Sequence, residues 1–501
     1  MTAPDPTPAR EPTTAAQDVS AGQPTLRRSL SVWQAVGLSI ALMAPSMAAN
    51  INPQGTATSV GRAVPLAFLI ATVGVLLVAY VFVRLCQRFH HAGSVYAFVA
   101  ATLGPRAGTV AGWSLMGTYC FYGVVTSTAA GIFGASFLQS AGIWPDPPGW
   151  APFLISCVAL VLVWLLTVIP ARGGTRVLLT VEGVTVALIL VVSVAVLVHL
   201  IAGTAPGGLR PTWSVFTVAP GTDASTVFLG AVFGFLSFAG FEAAATLGEE
   251  AHRPRRDIPR AILGTAIFGG AYFVFVTAVE VMGFGTDAAG VDAFTKSSSL
   301  LGDLGSRYVG SWVGDLISLG AAVSAFGCAL ACAVGGSRLL FALSRDAAGD
   351  RGLGRVTKVG TPAAASVVVV LAMYGIVAAL ALGAGSSAMD VFLASGTIGT
   401  LILLVVYLVT TVGAIRLLFF TAPRTVPMYE IVIPVLALVV LGYTVYRNVV
   451  PYPTGTGAVY PVVAGGWIAL GIIAVALVPR LSRFALREDL TAPTEQPAGR
   501  P

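Results

Sequence analysis

From Val32 to about residue 479 the chain is a succession of long uncharged apolar runs joined by short polar connections. A bilayer span needs about 20 consecutive apolar residues. Runs of that length fall near 32–60, 64–84, 107–139, 150–170, 177–203, 225–248, 262–284, 311–337, 362–384, 389–412, 428–446 and 459–479. They predict an all-α integral membrane protein of about 12 transmembrane helices. Of the 501 residues, 56% are hydrophobic and 10% charged, where a soluble domain carries about 25% charged residues. Such a chain cannot cover its own surface with charge, and lipid is the partner that accepts the surplus apolar surface. The 57 glycines suit close packing of membrane helices. The net charge of +6 does not read as a nucleic-acid footprint, because the basic residues sit in short connections between apolar runs.

The five cysteines, at 86, 120, 157, 328 and 332, lie in or at the edge of apolar runs and read as small buried hydrophobes. No spacing among them or the four histidines suggests a metal site, and no cofactor is expected. Residues 1–28, rich in Pro, Thr and Ala, predict a disordered tail rather than a cleaved signal peptide; residues 487–501 read the same way.

The distribution of Lys and Arg sets the orientation. Twelve spans put both termini on one side. With the N-terminus in the cytoplasm, 23 of the 28 basic residues fall in cytoplasmic segments. The other 5 (Arg62, Arg210, Lys296, Arg307 and Arg447) fall outside. The expected location is the cell membrane, multi-pass, with both tails cytoplasmic.

Two spans carry interruptions. The first reads GLSIALMAPSMAANINP, where Pro45 removes a backbone donor and crowds the preceding turn. The sixth reads FGFLSFAGFEAAATLGEE and holds Gly240 and Glu242 at its midpoint. A charged side chain at that depth costs roughly 2.5 to 3.5 kcal/mol on insertion scales, so it is expected to face protein or water. Interrupted helices at matching places in two halves point to a transporter site. An odd number of helices per half gives the halves opposite topology. The expectation is therefore a 5+5 inverted repeat: 29–203 (helices 1–5) and 225–412 (helices 6–10), linked by an extracellular segment 204–224. Helices 11 and 12 follow in 413–486. A break exposes unpaired N–H groups on one fragment and unpaired C=O groups on the other. The first welcome a carboxylate and the second an ammonium, and a free amino acid carries both.

SFAGFEAAATLGEEAHRPRRDIPRAI, at 237–262, resembles the sixth-helix motif of the amino acid–polyamine–organocation (APC) superfamily. AGSVYAFVAATLGPRAGTVAGW, at 92–113, resembles its conserved loop and third-helix start, and GGSRLLFALSRDAAG, at 335–349, its eighth-helix end. The resemblance, over about residues 30–480, implies the leucine-transporter-like fold and secondary transport of amino acids or amines. Carried across, it places the substrate carboxylate on the N–H groups of Ala44, Pro45, Ser46, Met47 and Ala48, a stretch in which Pro45 itself has none to offer. It places the amine on the carbonyls of Phe238, Ala239, Gly240 and Phe241, beside Glu242. The chain departs from the family where Ala-Pro-Ser replaces a Gly-Ser-Gly-like first break, where Leu236 stands in a place that holds a large aromatic in relatives, and where His90 and His91 replace a frequent Pro. In some relatives a Lys near Glu182 takes the place of a sodium ion; this chain has an acid there, so that ammonium-based mechanism does not transfer.

Candidate coupling residues are Glu242, Glu182 and Ser324, with a proton as the expected coupling ion. Glu182, early in the fifth span, has Arg172 and Arg176 as sequence-near ion-pair partners. Ser324, in the eighth span, is expected either to join a sodium-like site or to bond its own i−4 carbonyl. Tyr119 and Tyr122 share a helical face and form a possible gate over an amine. Glu280 and Asp315, near outer ends of spans, read as solvated; Asp390 reads as an interfacial cap; and Glu249 to Arg260 reads as a solvated connector. No phosphate loop points to ATP-driven transport, and scattered histidines and acids argue against a membrane enzyme. A transporter-shaped amino acid sensor and a polyamine or organic cation exchanger are the alternatives to an amino acid permease.

Overall fold

The computed structural model describes residues 32–89, 94–168, 174–247, 253–348, 352–354, 361–421, 424, 426–478 and 481. They form an all-helical bundle. The first span is two helices, α1 (Val32–Met43) and α2 (Pro45–Val60). A single 3-10 turn, Gly61–Ala63, separates α2 from α3 (Val64–Arg88), the second span. A short α4 (Ser94–Leu103) precedes the third span, α5 (Pro105–Ser140). Spans four and five are α6 (Ala151–Val168) and α7 (Gly174–Ala202). The sixth is α8 (Thr226–Ser237) continued, after a non-helical stretch, by a 3-10 segment Ala243–Leu247. The seventh is α9 (Pro254–Phe284), followed by the short α10 (Ala288–Lys296) and α11 (Leu300–Tyr308). Spans eight to twelve are α12 (Ser311–Ala348), α13 (Ala363–Ala378, prolonged by a π turn to Gly383), α14 (Ala388–Phe419), α15 (Val432–Arg447) and α16 (Val459–Leu477).

Ten helical stretches in the described residues are long and apolar enough to cross a membrane. The first of them, Ala35–Arg88, contains two spans, and the short apolar α8 supplies half of another, which brings the total to twelve. Packing follows the 5+5 inverted repeat. α1 lies on α9 as α8 lies on α3; α5 lies on α14 as α12 lies on α7; α5 lies on α6 as α12 lies on α13. The self-related pairs α3–α9 and α5–α12 also pack directly on each other.

Small residues make these approaches possible. A Cβ on Gly270 would stand 2.4 Å from Thr72, and one on Gly234 2.6 Å from Ala71, which fixes α9 and α8 against α3. Large apolar side chains on α6, α7, α13, α15 and α16, such as Leu162, Val191, Leu371, Val439 and Leu470, point outward. They fit lipid as their surroundings. The two trailing helices are tied in by side chains. Trp113 of α5 and Trp467 of α16 stack with centroids 4.7 Å apart, and each indole N–H donates to the other residue's carbonyl, at 2.8 and 3.0 Å. Arg84 of α3 bonds Glu430, just before α15, at 2.5 Å, with Tyr80 donating to the same carboxylate.

Several helices run past their apolar segments. α9 begins at Pro254 and α12 continues to Ala348 because polar residues prolong the helix beyond the apolar part. The connector expected over Glu249 to Arg260 is therefore, from Pro254 on, the first two turns of the seventh-span helix, with Arg255, Arg256 and Arg260 exposed; residues 249–252 lie outside the described residues, as do His90 and His91.

Candidate functional site

At the first break the chain leaves helical geometry at one residue. Ala44 adopts φ 45°, ψ 56°, in the left-handed region that costs an L-residue about 1–2 kcal/mol. Pro45 then starts α2, at a position where its missing N–H removes nothing. Ser46, Met47 and Ala48 consequently lie in the first turn of α2, all buried. The first N–H groups of a helix have no partner within it, and here neighbours supply two. Ser46 N–H donates to Glu182 Oε1 of α7 at 2.9 Å, and Met47 N–H to Ser324 Oγ of α12 at 3.4 Å. Ala48 N–H closes back on the Ala44 carbonyl at 2.8 Å. The Pro45 carbonyl accepts from Tyr272 of α9 at 3.4 Å.

Glu182 is thus a lid on a helix N-terminus, with its charge set against the positive end of the helix dipole. The pairing expected with Arg172 and Arg176 involves side chains outside the described residues. Ser324 faces the same helix end.

Beyond the break, α2 carries a polar ladder, Asn50, Asn52, Gln54 and Thr56, all buried. Asn50 Oδ1 accepts from Ser299 Oγ at 3.0 Å and from Leu301 N–H at 2.9 Å; Gln54 Nε2 donates to the Ser297 carbonyl at 2.5 Å; Asn52 Nδ2 donates to Ser237 Oγ of α8 at 2.7 Å. The ladder fastens α2 to α8 and to the 297–301 segment.

At the sixth break, α8 ends at Ser237 and residues 238–242 form tight turns. Phe241 N–H bonds the Phe238 carbonyl at 3.0 Å, and Ala243 N–H the Gly240 carbonyl at 2.9 Å. Gly240 has φ +101°, and a Cβ there would stand 3.1 Å from the backbone of Leu42 in α1, so glycine is required both by the turn and by the close approach of the two breaks. Phe238 and Phe241 are buried, Phe238 against Phe273 and Phe241 in an aromatic cluster with Phe82 and Tyr407. Ala239 is half-buried.

Glu242 follows the turns. Its Oε2 and the hydroxyl of Tyr407 of α14 are buried side by side, close enough to interact but without a well-formed hydrogen bond. Tyr119 and Tyr122 of α5 lie within electrostatic reach of the same carboxyl. Tyr119 packs flat on Gly335 and Gly336 of α12, and the Tyr122 hydroxyl is 3.0 Å from Thr400 Oγ1 of α14. The structure brings Glu242, Tyr119, Tyr122 and Tyr407 into one polar cluster inside the bundle. It places Glu182 and Ser324 at a second, on the first break.

Tyr407, set in the apolar run LVVYLVTT, was not singled out by the sequence reading; a lone hydroxyl in mid-span was the available signal. Glu280 corrects an expectation. It is fully buried, with neither carboxylate oxygen partnered, rather than solvated. α10 and α11 fold back over that end of α9, which no count along one span could reveal. Asp315 is half-buried, and Asp390 caps α14 in a capping box with Ser387.

The sequence model of the family described as Amino acid permease matches residues 32–482. The chain belongs to the amino acid permease family. Among curated members, it is 28% identical over 257 residues to the low-affinity putrescine importer PlaP of Escherichia coli strain K12, covering 50% of this chain and 53% of that one. The match thus spans about half the length of that relative. It is 27% identical over 338 residues to the branched-chain amino acid permease BcaP of Bacillus subtilis, covering 65% and 69% of the two chains. It is 26% identical over 340 residues to the methylthioribose transporter of the same organism, covering 64% and 68%. The two breaks and the cluster around Glu242 all lie within the part matched by the family.

Proposed function

We propose that the chain is a secondary active transporter that moves amino acids or related amines across the cytoplasmic membrane by alternating access, with both termini cytoplasmic. The observation that carries this reading is the pair of broken helices in contact at Leu42 and Gly240, with the buried Glu242 carboxyl beside them, whose Oε2 has no well-formed hydrogen bond. A buried carboxylate oxygen and a tyrosine hydroxyl that lie side by side without a well-formed hydrogen bond are groups an ammonium satisfies, since it brings three donors and a positive charge. The substrate amine is assigned to Glu242 and the turn carbonyls of residues 238–241. Its carboxylate is assigned to the first turn of α2, where it competes with Glu182 for the Ser46 N–H. Glu242 is the coupling acid in this scheme: one carboxyl that takes either a proton or an ammonium links the two by reciprocity. Tyr119 and Tyr122 flank it as candidate gate residues.

A second reading, transport of a polyamine, draws on one specific observation. The N–H that would meet a substrate carboxylate is already held by an internal one, Glu182, and a substrate without a carboxylate needs no such site.

Uptake of labelled amino acids and diamines into proteoliposomes tests the proposal, guided by a thermal-shift screen of the purified protein, because a ligand that binds only the folded state raises its melting temperature. Accumulation that depends on an imposed proton gradient or on a counter-substrate is the expected result. A protein stabilised by a ligand it never moves would be a sensor instead.

A further inference from the structure

Glu280 is a buried acid to which the transport scheme gives no task. It stands one turn before the end of α9, is 0% exposed, and has no hydrogen-bond partner on either carboxylate oxygen among the described residues. Its face of the helix is the inward one. At about 100° per residue, Glu280 falls within about 20° of both Gly269 and Phe273 around the axis of α9. Those two residues meet the breaks: a Cβ on Gly269 would stand 2.8 Å from Met43 and 2.9 Å from Phe238, and the Phe273 ring packs edge-on against that of Phe238. Glu280 continues the same stripe two turns further toward the outside. Tyr272 joins it to the first break. The Tyr272 hydroxyl donates to the Pro45 carbonyl at 3.4 Å and lies within electrostatic reach of both Glu182 and Glu280.

No described cation neutralises this acid. The helices α1, α2 and α8 carry no titratable residue, and α3 carries none before Tyr80. Arg62, in the turn between α2 and α3, makes no ion pair with it. On α7, Glu182 is at the first break and His199 bonds Thr204. Around α10, Asp287 caps the helix through the Gly290 N–H and Asp292 pairs with Lys296. On α11, Asp303 accepts from Ser297, Arg307 lies over the Phe284 ring, and Tyr308 donates to the Gly283 carbonyl. An unpaired carboxylate so placed would cost several kcal/mol, whereas a carboxylic acid carries no charge to bury.

We propose that Glu280 is a second proton site of the transporter, loaded from the outer solution. It carries a proton while this end of the bundle is closed, yields it to water when the outer side opens, and takes one back from external hydronium before the bundle closes again. The assignment rests on the transport reading and its orientation, and adds to it a proton that is never exchanged for the substrate. Glu242 trades its proton for the amine and so acts on affinity. Glu280 trades its own with water and so acts on the rate at which the outer side closes.

The test is uptake into proteoliposomes of labelled putrescine and labelled leucine, with internal pH fixed and external pH varied, alongside substrate affinity of the purified protein across pH. The wild-type maximal rate is expected to fall by about threefold or more as external pH rises by about two units from mildly acidic values, because closing waits for the proton. Glu280→Gln keeps the size and stays neutral, so its maximal rate is expected to be flat over that range while its affinity keeps the wild-type pH profile. Glu280→Asp keeps a titrating acid and is expected to keep the dependence on external pH. A wild-type rate indifferent to external pH overturns the second site and leaves the transport reading intact. So does a Glu280→Gln protein with the wild-type dependence, or a Glu280→Asp protein that has lost it at an unchanged melting temperature. A wild-type protein that takes up neither probe overturns the transport reading and the second site with it.

Discussion

The two helix breaks touch each other and are nevertheless furnished in opposite ways. At the first, the backbone groups of the turn are held by side chains of neighbouring helices: Ser46 N–H has Glu182, Met47 N–H has Ser324, and the Pro45 carbonyl has Tyr272, while the Ser46 hydroxyl is buried without a hydrogen-bond partner. At the sixth, the backbone closes on itself in tight turns, and beside it the Glu242 carboxyl and the Tyr407 hydroxyl are buried close together without a well-formed hydrogen bond. A buried polar atom left unpaired costs about 1–3 kcal/mol, more if charged. The backbone of the first break is thus held by side chains from α7, α9 and α12, and that of the sixth by its own turns. In the proposed scheme the same local device, an interrupted helix, meets the substrate carboxylate in one place and its amine in the other.

The largest expected effect falls where the two breaks meet. Gly240→Leu puts a side chain 3.1 Å from the Leu42 backbone at a residue with φ +101°, so substrate binding should be abolished in protein that still inserts and elutes as a single species. Unchanged affinity in that variant would place the site elsewhere and end the comparison.

Next comes Glu242→Gln. Losing a charge-assisted partner for the amine should weaken substrate binding by roughly tenfold. Since Oε2 makes no well-formed hydrogen bond within the protein and Gln keeps an oxygen for the neighbouring Tyr407, the melting temperature of the ligand-free variant should not fall. Glu182→Ala should do the reverse. It strips the acceptor from a buried N–H and should cost about 1–3 kcal/mol of stability, read as a lower melting temperature, whereas Glu182→Gln keeps an acceptor and should recover most of it. If the two acids give the same pattern, the breaks do not differ in the way described here. The smallest effect is Ser324→Ala: its contact with Met47 N–H is long, at 3.4 Å, and a loss of a few tenths of a kcal/mol is expected.

Much of this was legible in the sequence because membrane helices obey a strict rule, that the backbone must bond itself, and Pro45 and Gly240 are where the chain breaks it. Apolar run lengths gave the spans, and the motif around 237–262 located the sixth break. What the sequence could not supply is which residues face one another across the bundle. Glu182 and Ser46 are 136 positions apart and meet only because α7 presents that face to the start of α2. Sequence-near arginines were the visible alternative. Glu280 shows the same limit. Its place near the end of a span suggested solvent, and the packing of other helices on α9, among them α7, α10 and α11, is what a single span does not show. Tyr407 needed the rotation of α14 about its axis, which an apolar run does not encode.

The most direct test of the account is the affinity of purified protein for its substrate across pH, measured in wild type, Glu242→Gln and Glu182→Gln. In the proposed scheme Glu242 alone exchanges a proton for an ammonium. It therefore predicts that Glu242→Gln binds more weakly but with a flat pH profile, while Glu182→Gln retains the wild-type slope. A Glu242→Gln protein with the full wild-type pH dependence, or a slope lost only in Glu182→Gln, would contradict it and move the coupling to the first break.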